Sequence, residues 1–303
     1  MANRLLSTLA LTILMGSTVI GCGGGSSPPS TLTTLSAIDG DVSVMKAGMD
    51  SWTEGEVGMP LEDGDAVKTG DDSSAEITFF DGSTIELQPA TEVEIASLDI
   101  ADSGSTTLSL EQTIGATISR VTSIIDPASS YEVETTTGVA AVRGSVMVVC
   151  VTEEGTSWIA NQQGDIWTRA QGVELQVPEK RKCILKPLVP PELLPPNRPP
   201  LAVDDAAVTG EHEPLTVMFP GVLANDSDPD PYDLLLVTAV DTSSTVGELI
   251  RWGPRGVFTY SPSGHFDYLH AGESATDSFT YTVADAVGDT ATGTVTITII
   301  GVD

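Results

Sequence analysis

The sequence predicts an all-β chain of two domains. Three observations carry this. Apolar and polar residues alternate with period two through short segments in both halves of the chain. Turn signals such as Asp39-Gly40-Asp41, Asp63-Gly64-Asp65 and Asp81-Gly82 separate those segments. With 29 glycines and 19 prolines in 303 residues, the composition favours many turns and few long helices. The apolar fraction of 40% is enough to build real cores, so wholesale disorder is excluded.

The chain opens with an address. Arg4 precedes an apolar run from Leu5 to Ile20 that polar residues interrupt. One early positive charge before a short apolar stretch reads as a secretory signal over residues 1–21, too short and too polar for a membrane span. The run ends in Val19-Ile20-Gly21-Cys22, which resembles a bacterial lipobox. That resemblance implies cleavage before Cys22 and a diacylglyceryl lipid on its thiol. Two acyl chains anchor a protein stably, at ~0.8 kcal/mol per buried methylene. Gly23 follows in place of Asp, which in lipoprotein sorting implies the outer membrane. Residues 22–32, rich in Gly, Ser and Pro, read as a flexible tether.

The first domain is expected over residues 33–186. Ala75, Ile77 and Phe79 alternate with Glu76 and Thr78, then Asp81-Gly82 turns the chain into Ile85-Glu86-Leu87. Val93 and Ile95 alternate with Glu92 and Glu94, and Tyr131, Val133 and Thr135 with Glu132 and Glu134. A barrel and a sandwich both suit this pattern. The small motifs have an order of their own. Gly40-Asp41-Val42-Ser43-Val44 and Trp52 come first, then Gly64-Asp65, Val67-Lys68-Thr69-Gly70 and Asp81-Gly82-Ser83. Last comes Val139 to Val142 before Arg143-Gly144-Ser145. This order resembles the FecR domain, a periplasmic sensing module of iron-uptake regulators. Ser145 departs from the family's usual Thr. The resemblance implies the fold and a protein-contact role.

Three features of this domain carry expectations. Arg143, between apolar runs, is expected buried and paired with a carboxylate or carbonyls, holding a turn against the sheet, with contact to a ligand anion as the alternative. Once Cys22 is acylated, Cys150 and Cys183 are the two thiols left in an oxidising compartment, and a disulfide between them is expected. It would contribute ~3–4 kcal/mol in the chain-entropy model. The alternative is two buried thiols on strand faces that point the sulfurs apart. Lys180-Arg181-Lys182 reads as a charged guard on an edge strand.

Seven prolines fall between Lys186 and Pro200. Residues 187–200 are therefore read as a linker, extended as polyproline II into a semi-rigid arm of roughly 40 Å.

The second domain, residues 201–303, carries Val203-Asp204-Asp205, Leu223-Ala224-Asn225-Asp226-Ser227-Asp228-Pro229-Asp230 and Asp277-Ser278-Phe279-Thr280-Tyr281-Thr282-Val283-Ala284-Asp285. It resembles the Ig-like and cadherin-like repeats of bacterial surface proteins, which implies a β-sandwich used as a stalk, spacer or adhesion unit. From residue 199 onward the chain holds 16 acidic residues against two arginines. Crowded carboxylates repel, and Ca2+ with its six to eight oxygen ligands relieves that repulsion. By resemblance to cadherin-like domains, Asp204 or Asp205 is expected to meet Asp226, Asp228 or Asp230 at one pole, together with Asp285.

No catalytic motif stands out. His212, His265 and His270 form no metal-ligand spacing, and neither a Gly-x-Ser-x-Gly elbow nor a phosphate loop occurs. Trp52, Trp158, Trp167 and Trp252 read as core or edge packing, with stacking on sugars as the alternative. A formal charge of −30 excludes a nucleic-acid binder, which needs a basic face. The expected function is that of a non-enzymatic, lipid-anchored envelope protein acting as a binding, scaffold or adhesion module. Its partners would be the membrane through the lipid, and an envelope protein or polysaccharide. The alternative is a signalling component that contacts an outer-membrane receptor through the FecR-like domain.

Overall fold

The computed structural model describes residues 32–122, 126–231 and 233–302. The signal segment, Cys22 and the tether up to residue 31 lie outside the described residues. Those described are nearly all β. The one helical turn among them is a 3-10 turn at Gly221–Leu223.

The first domain holds β1 (Thr34–Asp39), β2 (Val42–Met45), β3 (Thr53–Glu54), β4 (Ala66–Thr69), β5 (Ser74–Thr78), β6 (Thr84–Leu87) and β7 (Glu92–Ile100). It continues with β8 (Thr106–Arg120), β9 (Ser130–Thr135), β10 (Gly138–Val151), β11 (Ser157–Ala170), β12 (Val173–Val177), β13 (Arg181–Leu185) and β14 (Glu192–Leu193). They form one sheet in the order β14-β13-β11-β10-β9-β8-β7-β4-β2-β3. The β5–β6 hairpin joins it through β8, β1 pairs with β5, and β12 pairs with β11. The alternation read from the sequence is the alternation of burial: Ala75 and Ile77 point inward while Glu76 and Thr78 are half-buried. At the tip of that hairpin the Asp81 Oδ1 accepts the Ser83 N–H at 2.9 Å, and Gly82 takes a φ of 83°.

The sheet folds over on itself at β8. Its first half pairs with β7 and runs parallel to β9; its second half pairs with β6 and β10. The bend falls at Gly115, with φ 87°. A Cβ at that position would overlap Thr91 and the Ala90 carbonyl. Thr91 holds the bend by accepting the Ala116 N–H at 2.9 Å on its hydroxyl. Between the two layers lies a core that includes Leu35, Ile77, Phe79, Tyr131, Val149 and Ile159.

The second domain holds β15 (Asp205–Gly210), β16 (Leu215–Val217), β17 (Leu236–Asp241), β18 (Glu248–Trp252), β19 (Phe258–Ser261), β20 (Ser274–Ala284) and β21 (Thr290–Ile300). A sheet β15-β21-β20-β17 faces a sheet β16-β19-β18. Between them pack Phe258, Tyr260, Phe279, Tyr281, Val295 and Ile297, giving the sandwich that the alternation in β20 and β21 predicts.

The disulfide expectation is overturned. Cys150 and Cys183 are both free and buried. Cys150 lies opposite Trp158 on β11, and Cys183 lies opposite the next residue, Ile159. Neighbours along a strand face opposite sides. Cys150 therefore joins the outer apolar layer with Trp158, while Cys183 joins the inner core with Ile159. The sheet stands between the sulfurs.

The extended arm is overturned as well. Glu192 and Leu193 pair with β13 and prolong the first domain's sheet, and the Leu194 N–H donates to the Lys182 carbonyl at 2.9 Å. The chain then turns directly into the second domain, and the two domains touch. The outer face of the first domain's sheet offers Ile118, Val148, Cys150, Trp158, Ala160 and Ile184. Ala286 and Val287 of the second domain are buried in the same cluster.

Candidate cation site at the domain junction

The strand β13 reads Arg-Lys-Cys-Ile-Leu, and Lys182 to Leu185 are all buried. Lys182 lies opposite Ala160, and Ile184 opposite Trp158, so Lys182 shares the outer apolar face. Its side chain is 2% exposed and leaves that face into the second domain. There the Nζ donates to Asp233 Oδ2 and lies 3.7 Å from Asp230 Oδ2. A buried ammonium needs such partners, because its desolvation alone costs several kcal/mol (an order-of-magnitude figure).

The carboxylates come from two segments of the second domain. Asp228, Asp230 and Asp233 lie in the proline-punctuated loop before β17; Asp285 follows β20. Carboxylate oxygens of Asp228, Asp233 and Asp285 lie within 4.8 Å of one another. The Asp233 Oδ1 accepts the Ala286 N–H at 2.9 Å. The Asp285 Oδ1 accepts the N–H groups of Val287 and Asp289 at 3.0 and 2.8 Å, and its Oδ2 accepts the Asn197 Nδ2 at 2.7 Å. The Asp228 Oδ1 accepts the Asp230 N–H at 2.7 Å, while its Oδ2 is buried without a partner. Arg198 clasps Asp230, its N–H on Oδ2 at 2.7 Å and its Nε on Oδ1 at 2.9 Å. Around this centre Lys180 Nζ donates to the Val287 carbonyl at 2.6 Å and lies 3.3 Å from Asp289. Gln162 Nε2 donates to the Ala286 carbonyl at 3.1 Å.

The electrostatics follow from this crowding. Burial, then the charges of Asp233 and of Asp285, push the Asp228 carboxyl above its usual range, against the pull of Lys182. Burial does the same to Asp285. Burial also acts on Asp230, but the hydrogen bonds from Arg198 and the charge of Lys182 hold it below the usual range.

The six predicted carboxylates thus do not converge on one ion. Asp228 and Asp285 come together with Asp233, which the sequence reading missed. Asp230 is taken by Arg198. Asp204 is exposed and accepts the Thr294 N–H at 2.8 Å. Asp205 and Asp226 form a second group around Tyr281, whose O–H donates to Asp226 at 3.0 Å. Burial and the charge of Asp226 push Asp205 up to about 6. With Lys182 in place, the Asp228–Asp233–Asp285 cluster fits calcium poorly: the ammonium already supplies the positive charge, and both Asp285 oxygens are spent on N–H donors. The Asp205–Asp226 pair keeps a buried, unpartnered oxygen, Asp205 Oδ2.

Two other expectations change. Lys180-Arg181-Lys182 is no solvent-facing guard; two of its three side chains join the domains. Arg143 is exposed rather than buried, and its Nη2 donates to the Pro127 carbonyl at a long 3.4 Å. A bulge in β10 between Arg143 and Val146 lets the side chain stay outside while the strand turns its apolar residues inward. Of the tryptophans, Trp158 is buried at the junction and Lys68 lies over Trp52 at 4.1 Å. Trp252 packs against the second core, and Trp167 stays 38% exposed.

Comparison with known proteins bears on both halves. Residues 65–166 match the family model described as FecR protein, and residues 197–301 match that of the bacterial cadherin-like domain. Two crystal structures from Parabacteroides distasonis ATCC 8503, both provisionally described as anti-sigma factors, are similar at low level. One is 15% identical, with a TM-score of 0.36 over 43% of this chain, and only 57% of that protein is covered. The other is 11% identical, with a TM-score of 0.39 over 65% of this chain and 98% of that one. No curated protein matches the chain significantly. Among the described residues, no helix is long and apolar enough to cross a membrane. The chain carries a FecR domain followed by a bacterial cadherin-like domain.

Proposed function

We propose that this chain is a non-enzymatic, lipid-anchored envelope protein that works as a rigid two-domain binding module. The observation that carries the reading is the junction. A flexible stalk needs no contact between its units, yet here a buried lysine, a second lysine beside Asp289 and an apolar layer dock the cadherin-like domain onto the back of the FecR domain. Docking fixes the position of the FecR domain's free face. Both matched families are non-catalytic, which supports the same reading. In the docked chain Lys182 takes the place of a bound cation, and calcium is proposed for the Asp205–Asp226 pair. A melting temperature that rises in calcium and no longer rises in Asp205→Asn with Asp226→Asn is the expected sign of that site. Anchoring at Cys22 is read from the lipobox, and mass spectrometry of the mature N-terminus should find a diacylglyceryl cysteine there.

The FecR match favours one other reading, contact with an outer-membrane receptor in envelope signalling. Mild crosslinking in the native envelope separates the two. Polysaccharide or surface proteins as the main partner support the binding module. A receptor barrel as the main partner transfers the protein to signalling.

A further inference from the structure

The outer face of β10 and β11 is divided. Beyond the bulges at residues 143–146 it is apolar and covered by the second domain. Before them it is polar and open, and carries a cleft of about 580 Å³. The two halves have different chemistry, so the open half is not an uncovered remnant of the domain junction.

Three cross-strand rows build the cleft: Val139 opposite Arg169, Ala141 opposite Trp167, and Arg143 opposite Asp165. The edge strand β12 adds Glu174 opposite Arg169, and β9 adds Glu132 opposite Ala141. Ala141 is short, so one flank of the Trp167 indole is left clear.

The cations single out this place. Of the twelve described lysines and arginines, seven lie within 4.0 Å of a carboxylate. Lys68 and Arg255 lie over aromatic rings, and Arg181 donates to the Leu194 carbonyl. Arg143, held only by a long 3.4 Å bond to the Pro127 carbonyl, and Arg169 remain, and both line this one cleft. In a chain of charge −30, two guanidinium groups stand on either side of an exposed indole, without a carboxylate in ion-pair range.

We propose that this cleft is a binding site for a neutral saccharide chain, with Trp167 as the stacking platform and Arg143 and Arg169 as the hydroxyl-binding forks. An exposed indole offers a flat apolar face to the C–H face of a pyranose ring. Guanidinium and carboxylate groups each bind two neighbouring hydroxyls through paired donors or acceptors. Two guanidiniums against the three carboxylates of Glu132, Asp165 and Glu174 leave the cleft one negative charge in excess, which does not attract a polyanion. The volume lies in the range of small-ligand clefts and holds one or two sugar rings. The proposal rests on the binding-module reading and names a ligand class for it. Its test uses purified protein, so failure here leaves the envelope crosslinking result standing.

The experiment is calorimetric titration of the full chain with neutral tetrasaccharides of glucose, mannose, galactose and N-acetylglucosamine, with heparin as the polyanion. At least one tetrasaccharide should bind, and heparin should not. Trp167→Ala should weaken that binding by about tenfold or more, and Trp167→Phe should recover part of it. Arg169→Gln should weaken it by several-fold with an unchanged melting temperature. Should Trp167→Ala fail to fold, the Phe and Gln variants decide. Binding to none of the four tetrasaccharides, binding to heparin alone, or saccharide binding untouched in the folded variants overturns the proposal.

Discussion

Replacing Lys182 by Met removes the charge at the junction and keeps most of the apolar stem. The structure sets the size of the effect. The lysine is 2% exposed and Asp233 1%, so salt screens the pair little. At an effective dielectric of about 20, two unit charges about 4 Å apart interact by ~4 kcal/mol, which is the scale of the Asp230 contact. Removing one partner of a buried pair leaves the other charge uncompensated and costs about 3–5 kcal/mol. Here the orphaned group is a cluster of carboxylates, so the upper part of that range applies. If both domains melt as one unit, each kcal/mol lowers the melting temperature by about 2–4 °C, giving a drop on the order of 10 °C. The assay is scanning calorimetry with urea denaturation. The wild type should melt in one transition, and Lys182→Met in two, as the domains separate. Adding Asp233→Asn should return part of the loss, with a coupling of about 2 kcal/mol. A loss below about 1 kcal/mol, with a single transition retained, refutes the reasoning.

Further outcomes follow from other sites. Asp205 sits at about 6 rather than 3.8, so the folded state holds its proton more tightly than the unfolded state. Stability measured in chelator should therefore rise as pH falls from 7 through 6 toward 4. Asp205→Asn should add about 1–2 kcal/mol at pH 7, discounted for partial exposure, and flatten that slope. Gly115→Ala places a Cβ into Thr91 at a φ that side chains rarely adopt, and should cost about 2–4 kcal/mol in urea denaturation; a cost below 1 kcal/mol (roughly the Gly-to-Ala gain at a permissive site) counts against the bend. Cys150 and Cys183 should resist maleimide in the native protein, since burial pushes both thiols up and hides them. Both should react after unreduced denaturation, whereas a disulfide would leave neither reactive.

Much of the fold is legible because period two is a local signal. Ala75-Glu76-Ile77 and the Asp81-Gly82 turn declare a hairpin whose register the structure keeps. The junction is less legible, though one sign of it exists. Val146 to Val151 is an unbroken apolar run, and a strand without alternation is buried on both faces. That run implies a cover over the outer face, which the cadherin-like domain supplies. The cysteine pairing is illegible for a related reason. Whether Cys150 and Cys183 share a face depends on pairing register with β11, and nothing local in either strand sets it. Lys182 resembles a surface lysine in composition; only its position opposite Ala160 buries it. Asp233 is inconspicuous because it follows two prolines and precedes three leucines, outside the spaced run of Asp226, Asp228 and Asp230. The apolar neighbours of Arg143 imply an inside position, but the bulge beside it changes which face they occupy.

The central claim is that the two domains form one docked body held by Lys182. Small-angle X-ray scattering of the mature chain tests it most directly, because docked and separated domains differ in overall dimension. The account predicts a compact single-body profile that matches the docked arrangement, and a lengthened one for Lys182→Met with Lys180→Ala. A wild-type profile of two lobes held apart by an arm of roughly 40 Å, as the extended linker would give, contradicts it.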